Sequence, residues 1–326
     1  MKRQILILFL FALSIIPLFS QSSGIRGTVS NAETGELLAY ATLIHLPSGR
    51  GTATNSRGVF VMPYAEEGDS IRVSYIGFES KWLVVSSRQS FRIRLAPTAT
   101  TLGEVVIKSD DDEFLYDLVI RARKNANGID RTAKTYFFVE TFLDGQHSEI
   151  IEAFFNGQYN GYGIGDLSIK KGREGMKSVN EKYYNSTESS RAFILHNPLI
   201  KELNYPDNPL MLSKKKMQKK YALSLKQIYN EEDARIYVVD CQPTEDSLGM
   251  FRTKLWIDIT HQQLIKTQFQ INGTYRHPFL IIGNQEARDV DMNISRTYER
   301  IGDEVRLASI DFTYKLGYLG KDNHME

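Results

Sequence analysis

Cysteine is nearly missing from this sequence. Cys241 is the only one in 326 residues, so no intramolecular disulfide can brace the fold. It sits in RIYVVDCQP, an apolar strand-like run with no base beside it, the setting of a small buried hydrophobe rather than a nucleophile. Proline is scarce, with nine, while tyrosine and phenylalanine number 17 each, a usage that suits a β-rich globular chain better than a disordered one. An excess of either charge is also absent. Forty basic residues face 39 acidic ones for a formal net charge of +1, which gives no electrostatic case for nucleic acid as a partner.

Catalytic patterns are missing too. The histidines are His45, His147, His196, His261, His277 and His324, and none forms the His-x-x-Glu pair or HExxH helix of a zinc peptidase. No Gly-x-Ser-x-Gly elbow and no phosphate loop occurs, and the carboxylates form no recognisable acid/base dyad. GYGIG and GREG read as glycine turns. The sequence therefore leads to a non-enzymatic protein, with no catalytic residue, cofactor or metal ligand to nominate.

One long apolar run is present. MKRQILILFLFALSIIPLFS has Lys2 and Arg3 before an unbroken apolar stretch from Ile5 to Phe19, shorter than the roughly 20 residues that span a bilayer. It reads as an export signal over 1–20, cleaved near Ser20 and Gln21, with an uncleaved anchor as the alternative. No cysteine follows it, which excludes a lipid-modified N-terminal cysteine. Loss of Lys2 and Arg3 takes the formal charge from +1 to −1.

From Gly24 to Leu95, short runs of period two alternate with turn chemistry. Ile25 and Val29 share a face, as do Ile71, Val73 and Tyr75, and Phe91, Ile93 and Leu95. In LAYATLIH, Tyr40, Thr42 and Ile44 oppose Ala39, Ala41 and Leu43. GTATNSRGVF predicts a hairpin: strand 51–54, turn Asn55–Gly58, then Val59 and Phe60 returning to the core. About seven strands in this span predict a seven-stranded antiparallel β-sandwich. The order TGELLAYATL, GTATNSRGVF, IRVSYIGFES resembles the carboxypeptidase-regulatory-like domain, a transthyretin-like sandwich common in envelope proteins of Bacteroidetes-type bacteria. Thr34, Gly35, Glu36, Leu38, Ala41, Thr42, Gly51, Thr52, Thr54, Gly58, Phe60 and Ser74 to Phe78 carry the likeness; Asn55 stands where that family usually has Asp. The resemblance implies an accessory module that positions the neighbouring domain, not a peptidase.

A join over 96–112 leads to a second, α+β domain over 113–326. LGEVVI in the join resembles the segment after this sandwich in TonB-dependent receptors, whose plug and large barrel do not fit the remaining length. FLYDLVIRARKNANG predicts a helix with Leu115, Leu118, Val119 and Ala122 on one stripe, acidic at its start, basic at its end, and stopped by Gly128. Seven β-type runs come next, from TYFFVETFL to LASIDFTY, and predict a large curved antiparallel sheet with the helix docked on it. MFRTKLWIDITHQQLIKTQFQI predicts a hairpin turning at Thr260–Gln263, with Phe251, Leu255, Ile257 and Ile259 on one face. RARKNAN, Asn197-Pro198-Leu199, Tyr221-x-Leu223 and Trp256-Ile257-Asp258 resemble a domain found after the sandwich in other envelope proteins. In larger relatives a membrane barrel comes next, so this is either a short form or a chain lacking that barrel.

These features lead to an exported protein of the periplasm or outer membrane whose sandwich positions it and whose second domain is a binding platform. Its partner would be an envelope protein, a glycan or a lipid. The hairpin around WIDITHQQLIKTQF is similar to lipoprotein carriers, which implies a rival reading: an acyl-binding concave face lined by Phe251, Leu255, Ile257 and Phe269. A small outer-membrane barrel is a second rival. LSKKKMQKKY offers Lys214, Lys215, Lys216, Lys219 and Lys220 either as an anionic-surface patch or as an ordinary solvated helix face.

Overall fold

The computed structural model describes residues 24–55, 57–86, 90–98, 112–125, 130–230, 234–245, 248–279, 286–301 and 304–319. The leader, most of the join, Gly128 and His324 lie outside them. No helix among the described residues is long and apolar enough to cross a membrane.

The first strands are β1 (Ile25–Asn31), β2 (Thr42–His45), β3 (Arg50–Ala53), β4 (Val59–Met62), β5 (Ser70–Ser74), β6 (Lys81–Val84) and β7 (Ser90–Leu95). They form two sheets, β4-β1-β7 and β3-β2-β5-β6. Alternation delivers Val29, Phe60, Met62, Ile71, Val73 and Leu95 to one shared core. The mainly β class and the sandwich are as the sequence predicts. One pairing departs from an all-antiparallel scheme: β7 runs parallel to β1, Val29 opposite Ile93, because it comes after β6 of the other sheet and crosses over.

GTATNSRGVF is not a hairpin. β3 pairs with β2 and β4 with β1, so the turn carries the chain from one sheet to the other. Thr54 starts the crossing: its buried hydroxyl accepts from the Ala41 N–H and donates to the Leu38 carbonyl. The Asn55 side chain then accepts from the N–H groups of Arg57 and Val59. Gly58 closes the turn at φ +66°, where an added Cβ would lie 2.8 Å from the Leu37 Cβ. Phe60 still reaches the core. The strand expected over LAYATLIH is also shorter: Tyr40 adopts φ +66°, and β2 begins only at Thr42.

The second region opens with α1 (Asp112–Lys124), whose Leu115, Leu118, Val119 and Ala122 are all at most 1% exposed. Burying each leucine contributes about 1.5–3 kcal/mol. A three-stranded antiparallel sheet comes next: β8 (Arg131–Leu143), β9 (Gln146–Asn160) and β10 (Gly163–Met176) in the order β10-β9-β8. Then come α2 (Thr187–Leu195), a 3-10 turn at Pro209–Met211 and α3 (Lys214–Lys220). A six-stranded antiparallel meander completes the described chain: β11 (Tyr221–Asn230), β12 (Arg235–Pro243), β13 (Arg252–Asp258), β14 (Gln263–Thr274), β15 (Glu286–Ile301) and β16 (Glu304–Leu319). β13 and β14 form the expected hairpin; Asp258 Oδ1 caps its turn by accepting from the N–H groups of Thr260 and His261.

The glycines of GYGIG and GREG are mostly not turns. Gly161 turns the chain at φ +47°, but Gly163, Gly165, Gly172 and Gly175 lie within β10. Bulges interrupt its pairing between Ile164 and Asp166 and between Ile169 and Lys171. A Cβ on Gly172 would meet the Ala153 Cβ and the Glu152 carbonyl at 3.2 Å, so close strand approach explains this glycine.

Candidate binding surfaces and the junction between domains

The four residues expected on an acyl-binding face lie together on β13, its leading edge and β14, and they form the centre of the core. Phe251, Leu255, Ile257 and Phe269 are at most 2% exposed, and the rings of Phe251 and Phe269 sit 5.8 Å apart. Leu118 of α1, Leu210 of the 3-10 turn and Met217 of α3 belong to the same buried cluster. Polar ties fix this cover. The Tyr116 hydroxyl donates to the Tyr221 carbonyl at 2.7 Å, and Arg123 Nη1 donates to the carbonyls of Leu210 and Leu212 at 2.8 and 2.7 Å.

The lysines of α3 divide into two groups. Lys214 pairs with Glu113 and Asp117 of α1 at 2.8 and 2.7 Å, and Lys220 pairs with the buried Asp207 at 2.9 Å. Burial alone would raise the Asp207 carboxyl, but bonds from Lys220 and Arg276 hold it below the usual carboxylate range. Lys215, Lys216 and Lys219 are exposed.

A junction that the sequence did not indicate joins the sandwich to the outer face of the six-stranded sheet. The Tyr40 hydroxyl donates to Asp311 Oδ1 of β16. Beside them the Lys266 ammonium of β14 lies 5.0 Å from the Trp256 ring, 5.7 Å from that of Tyr40 and 5.8 Å from that of Tyr75. Burial lowers the Lys266 pKa, and Asp311 partly opposes it. Burial raises the Asp311 carboxyl against the Tyr40 bond and the Lys266 charge. Nearby, burial pushes Glu299 of β15 up to about 7, against the charges of Arg72 on the sandwich and Arg306 on β16. Tyr40 leaves strand geometry at the point where its side chain must reach Asp311. Nothing in the spacing of LAYATLIH marks that.

The outer face of the three-stranded sheet carries exposed apolar side chains, with Glu140 on the same face 4.0 Å from Arg57 of the sandwich. Tyr136, Phe138, Ile150 and Phe154 alternate onto one side of β8 and β9 and are 42–52% exposed. Tyr136 and Phe154 are direct cross-strand partners with rings 5.3 Å apart, and the Tyr136 hydroxyl donates to Glu152 Oε1 at 2.9 Å. Glu152 also holds Arg173 of β10. The opposite face of this sheet, with Phe137, Val139, Ile151 and Phe155, is half-buried. A cleft of about 90 Å³ opens between the ends of β8 and β9 and the start of β16, lined by Tyr159, Val305 and Leu307 among others.

Three of the described histidines are tied to neighbouring side chains, and the cysteine is enclosed. His45 bonds Asp69 and Ser48, His261 bonds Asp258, and His196 bonds Glu202 while stacking on Tyr205 at 3.8 Å. No three of the described His, Cys, Asp and Glu residues are grouped as metal ligands. Cys241 is fully buried, and burial raises its thiol above the ordinary range.

Residues 25–107 match the family model of the CarboxypepD_reg-like domain. No curated protein matches the chain. Among solved structures, the Pseudomonas aeruginosa MucA/MucB complex aligns at 7% identity and a TM-score of 0.25, covering 62% of this chain and 93% of that one. A DUF1329 family protein from Desulfovibrio piger aligns at 11% identity and 0.25, over 63% and 92%. A LolA superfamily protein from Nitrosomonas europaea aligns at 12% identity and 0.20, over 61% and 91%.

Proposed function

We propose that this is a non-enzymatic exported protein of the cell envelope, in which the sandwich positions the second domain and the second domain is the binding platform. The outer face of β8 and β9 carries this reading. Single exposed apolar residues need no explanation, but four large ones on one sheet face, two of them in ring contact, mark a contact surface. The Tyr40, Asp311 and Lys266 junction supports the positioning role, because it fixes the sandwich by buried polar groups with demanding geometry. The partner is an envelope protein, a glycan or a lipid, and periplasm or outer membrane is the compartment. Two experiments test this. A photoreactive side chain placed at Phe138 is expected to form an adduct in cells with an envelope component and not with cytosolic proteins. Hydrolysis of peptides or glycosides by the purified processed protein would overturn the reading.

One observation favours a second reading, a lipid or lipoprotein carrier. A cleft opens between the ends of β8 and β9 and the start of β16, where Ala133, Tyr159, Val305 and Leu307 supply apolar lining beside Arg131, Thr132 and Arg306. The cleft of about 90 Å³ is well below the roughly 300–1,000 Å³ of a ligand pocket, so a carrier must widen it. Saturable binding of a fluorescent fatty acid, weakened by Leu307→Asp, is the expected result for a carrier. Its absence leaves the platform as the function.

A further inference from the structure

At the end of the second domain beside α3, three separate loops are tied into one rigid cluster. Arg276 Nη2 donates to the Leu203 carbonyl at 3.3 Å, and its Nη1 donates to the Gly249 carbonyl at 3.3 Å and to Asp207 Oδ1 at 3.2 Å. Thr274 donates to the Leu248 carbonyl. The Asp207 N–H donates to the Gly249 carbonyl and the Phe251 N–H to the Asp207 carbonyl, at 2.8 and 2.9 Å. The Leu203 and Leu248 carbonyls are held by these bonds, and Tyr275 lies between the two donors Thr274 and Arg276; all three side chains are exposed, Leu203 at 86%, Tyr275 at 73% and Leu248 at 49%. Ile200, at 57%, lies on the first loop with Leu203. A folded chain has no internal reason to pin loops firmly and leave their apolar tips in water.

The surroundings of the tips are basic. Lys220 reaches into the cluster through Asp207, and the Lys219 and Lys220 carbonyls accept from Thr244 on the second loop. Helical spacing puts Lys216 one turn before Lys220, on the same side. Asp207 is neutralised by Lys220 and Arg276, and Glu202 is engaged by His196. Glu245 is exposed on the second loop and opposes this charge. Among the described residues, Lys215, Lys216 and Lys219 make no ion pair and remain available.

We infer that the loop tips Leu203, Leu248 and Tyr275, with Lys215, Lys216 and Lys219 on the adjoining helix α3, are a docking patch for an anionic lipid bilayer. Projecting apolar and tyrosine tips enter the interfacial layer, and the lysines meet the headgroups. A protein partner would be better served by a flat, well-packed face than by separate tips ringed with solvated ammonium groups. No residue of the β8–β9 face takes part in this patch, which stands apart from the proposed function.

Vesicle co-sedimentation tests it, with the chain expressed full-length and recovered after processing. Binding is expected to vesicles containing phosphatidylglycerol, at least tenfold stronger than to pure phosphatidylcholine, and to weaken as salt is raised. Leu203→Ser with Tyr275→Ser, both exposed, is expected to reduce it about tenfold or more with an unchanged melting temperature. Lys215→Glu with Lys216→Glu is expected to abolish the preference for anionic vesicles. Equal binding to both vesicle types, no binding, or binding unaffected by either double variant overturns the inference.

Discussion

Tyr40 and Asp311 are 271 residues apart in sequence, and the hydroxyl of one donates to the carboxylate of the other between the sandwich and the six-stranded sheet. Both are largely out of water, so the bond does more than an exposed contact: without it, Asp311 keeps its burial and loses a donor. Tyr40→Phe is therefore expected to destabilise the protein by about 1.5–3 kcal/mol. Calorimetry should show the loss, with far-UV circular dichroism unchanged. A melting temperature unaltered by the substitution would mean that the junction is incidental.

The same junction should make stability depend on pH. Glu299 is raised to about 7 from 4.5, chiefly by burial, with Arg72 and Arg306 opposing. An acid whose folded pKa exceeds its unfolded one holds its proton more tightly in the native state. Its stabilising contribution is complete below about 4.5 and is lost as pH rises through about 7. At about 1.4 kcal/mol per unit, the loss amounts to a few kcal/mol at most. Glu299→Gln is expected to flatten the stability profile between these limits and to be the more stable form at pH 8. Denaturant titrations at several pH values check this; parallel profiles for both proteins would contradict it.

Helix α2 is held at both ends by charges of the sign its dipole favours. The Glu149 carboxylate of β9 accepts from the Ser186 N–H at 3.1 Å at its start, and Arg296 Nη2 of β15 donates to the Phe193 carbonyl at 2.9 Å and to the His196 carbonyl at its end. Arg296 is 0% exposed. Arg296→Met is expected to cost about 3 kcal/mol or more, since two carbonyls lose a charged donor. Glu149→Ala is expected to cost about 1–2 kcal/mol, as loss of a cap does. Hydrogen exchange over 187–195 should quicken in both. Protection unchanged in either would remove that residue as an anchor.

Periodicity made much of this legible. The stripe Leu115, Leu118, Val119, Ala122 and the alternation around Trp256 report burial directly, because one face of an element either meets the core or does not. What the sequence hid was which elements pair. Val59 and Phe60 look the same whether β4 returns beside β3 or crosses to β1; the crossing depends on the buried Thr54 hydroxyl and the Asn55 side chain. The concave face shows the same limit. Phe251, Leu255, Ile257 and Phe269 share a face, but whether that face holds a ligand or helices depends on the fold of 112–220. The exposed ladder Tyr136, Phe138 and Phe154 reads as strand and gives no signal of a site, since alternation cannot tell a covered aromatic face from an open one.

The most direct test of the platform replaces that ladder. In the triple variant Tyr136→Ser, Phe138→Ser, Phe154→Ser, a photoreactive side chain at the adjacent Lys134 reports contact in cells, and thermal melting reports the fold. Because the three rings face water, stability is expected to stay within about 1 kcal/mol of the parent while the envelope adduct disappears. An adduct that persists at full yield, or a variant that unfolds as though its core had been cut away, would contradict a binding role for this face.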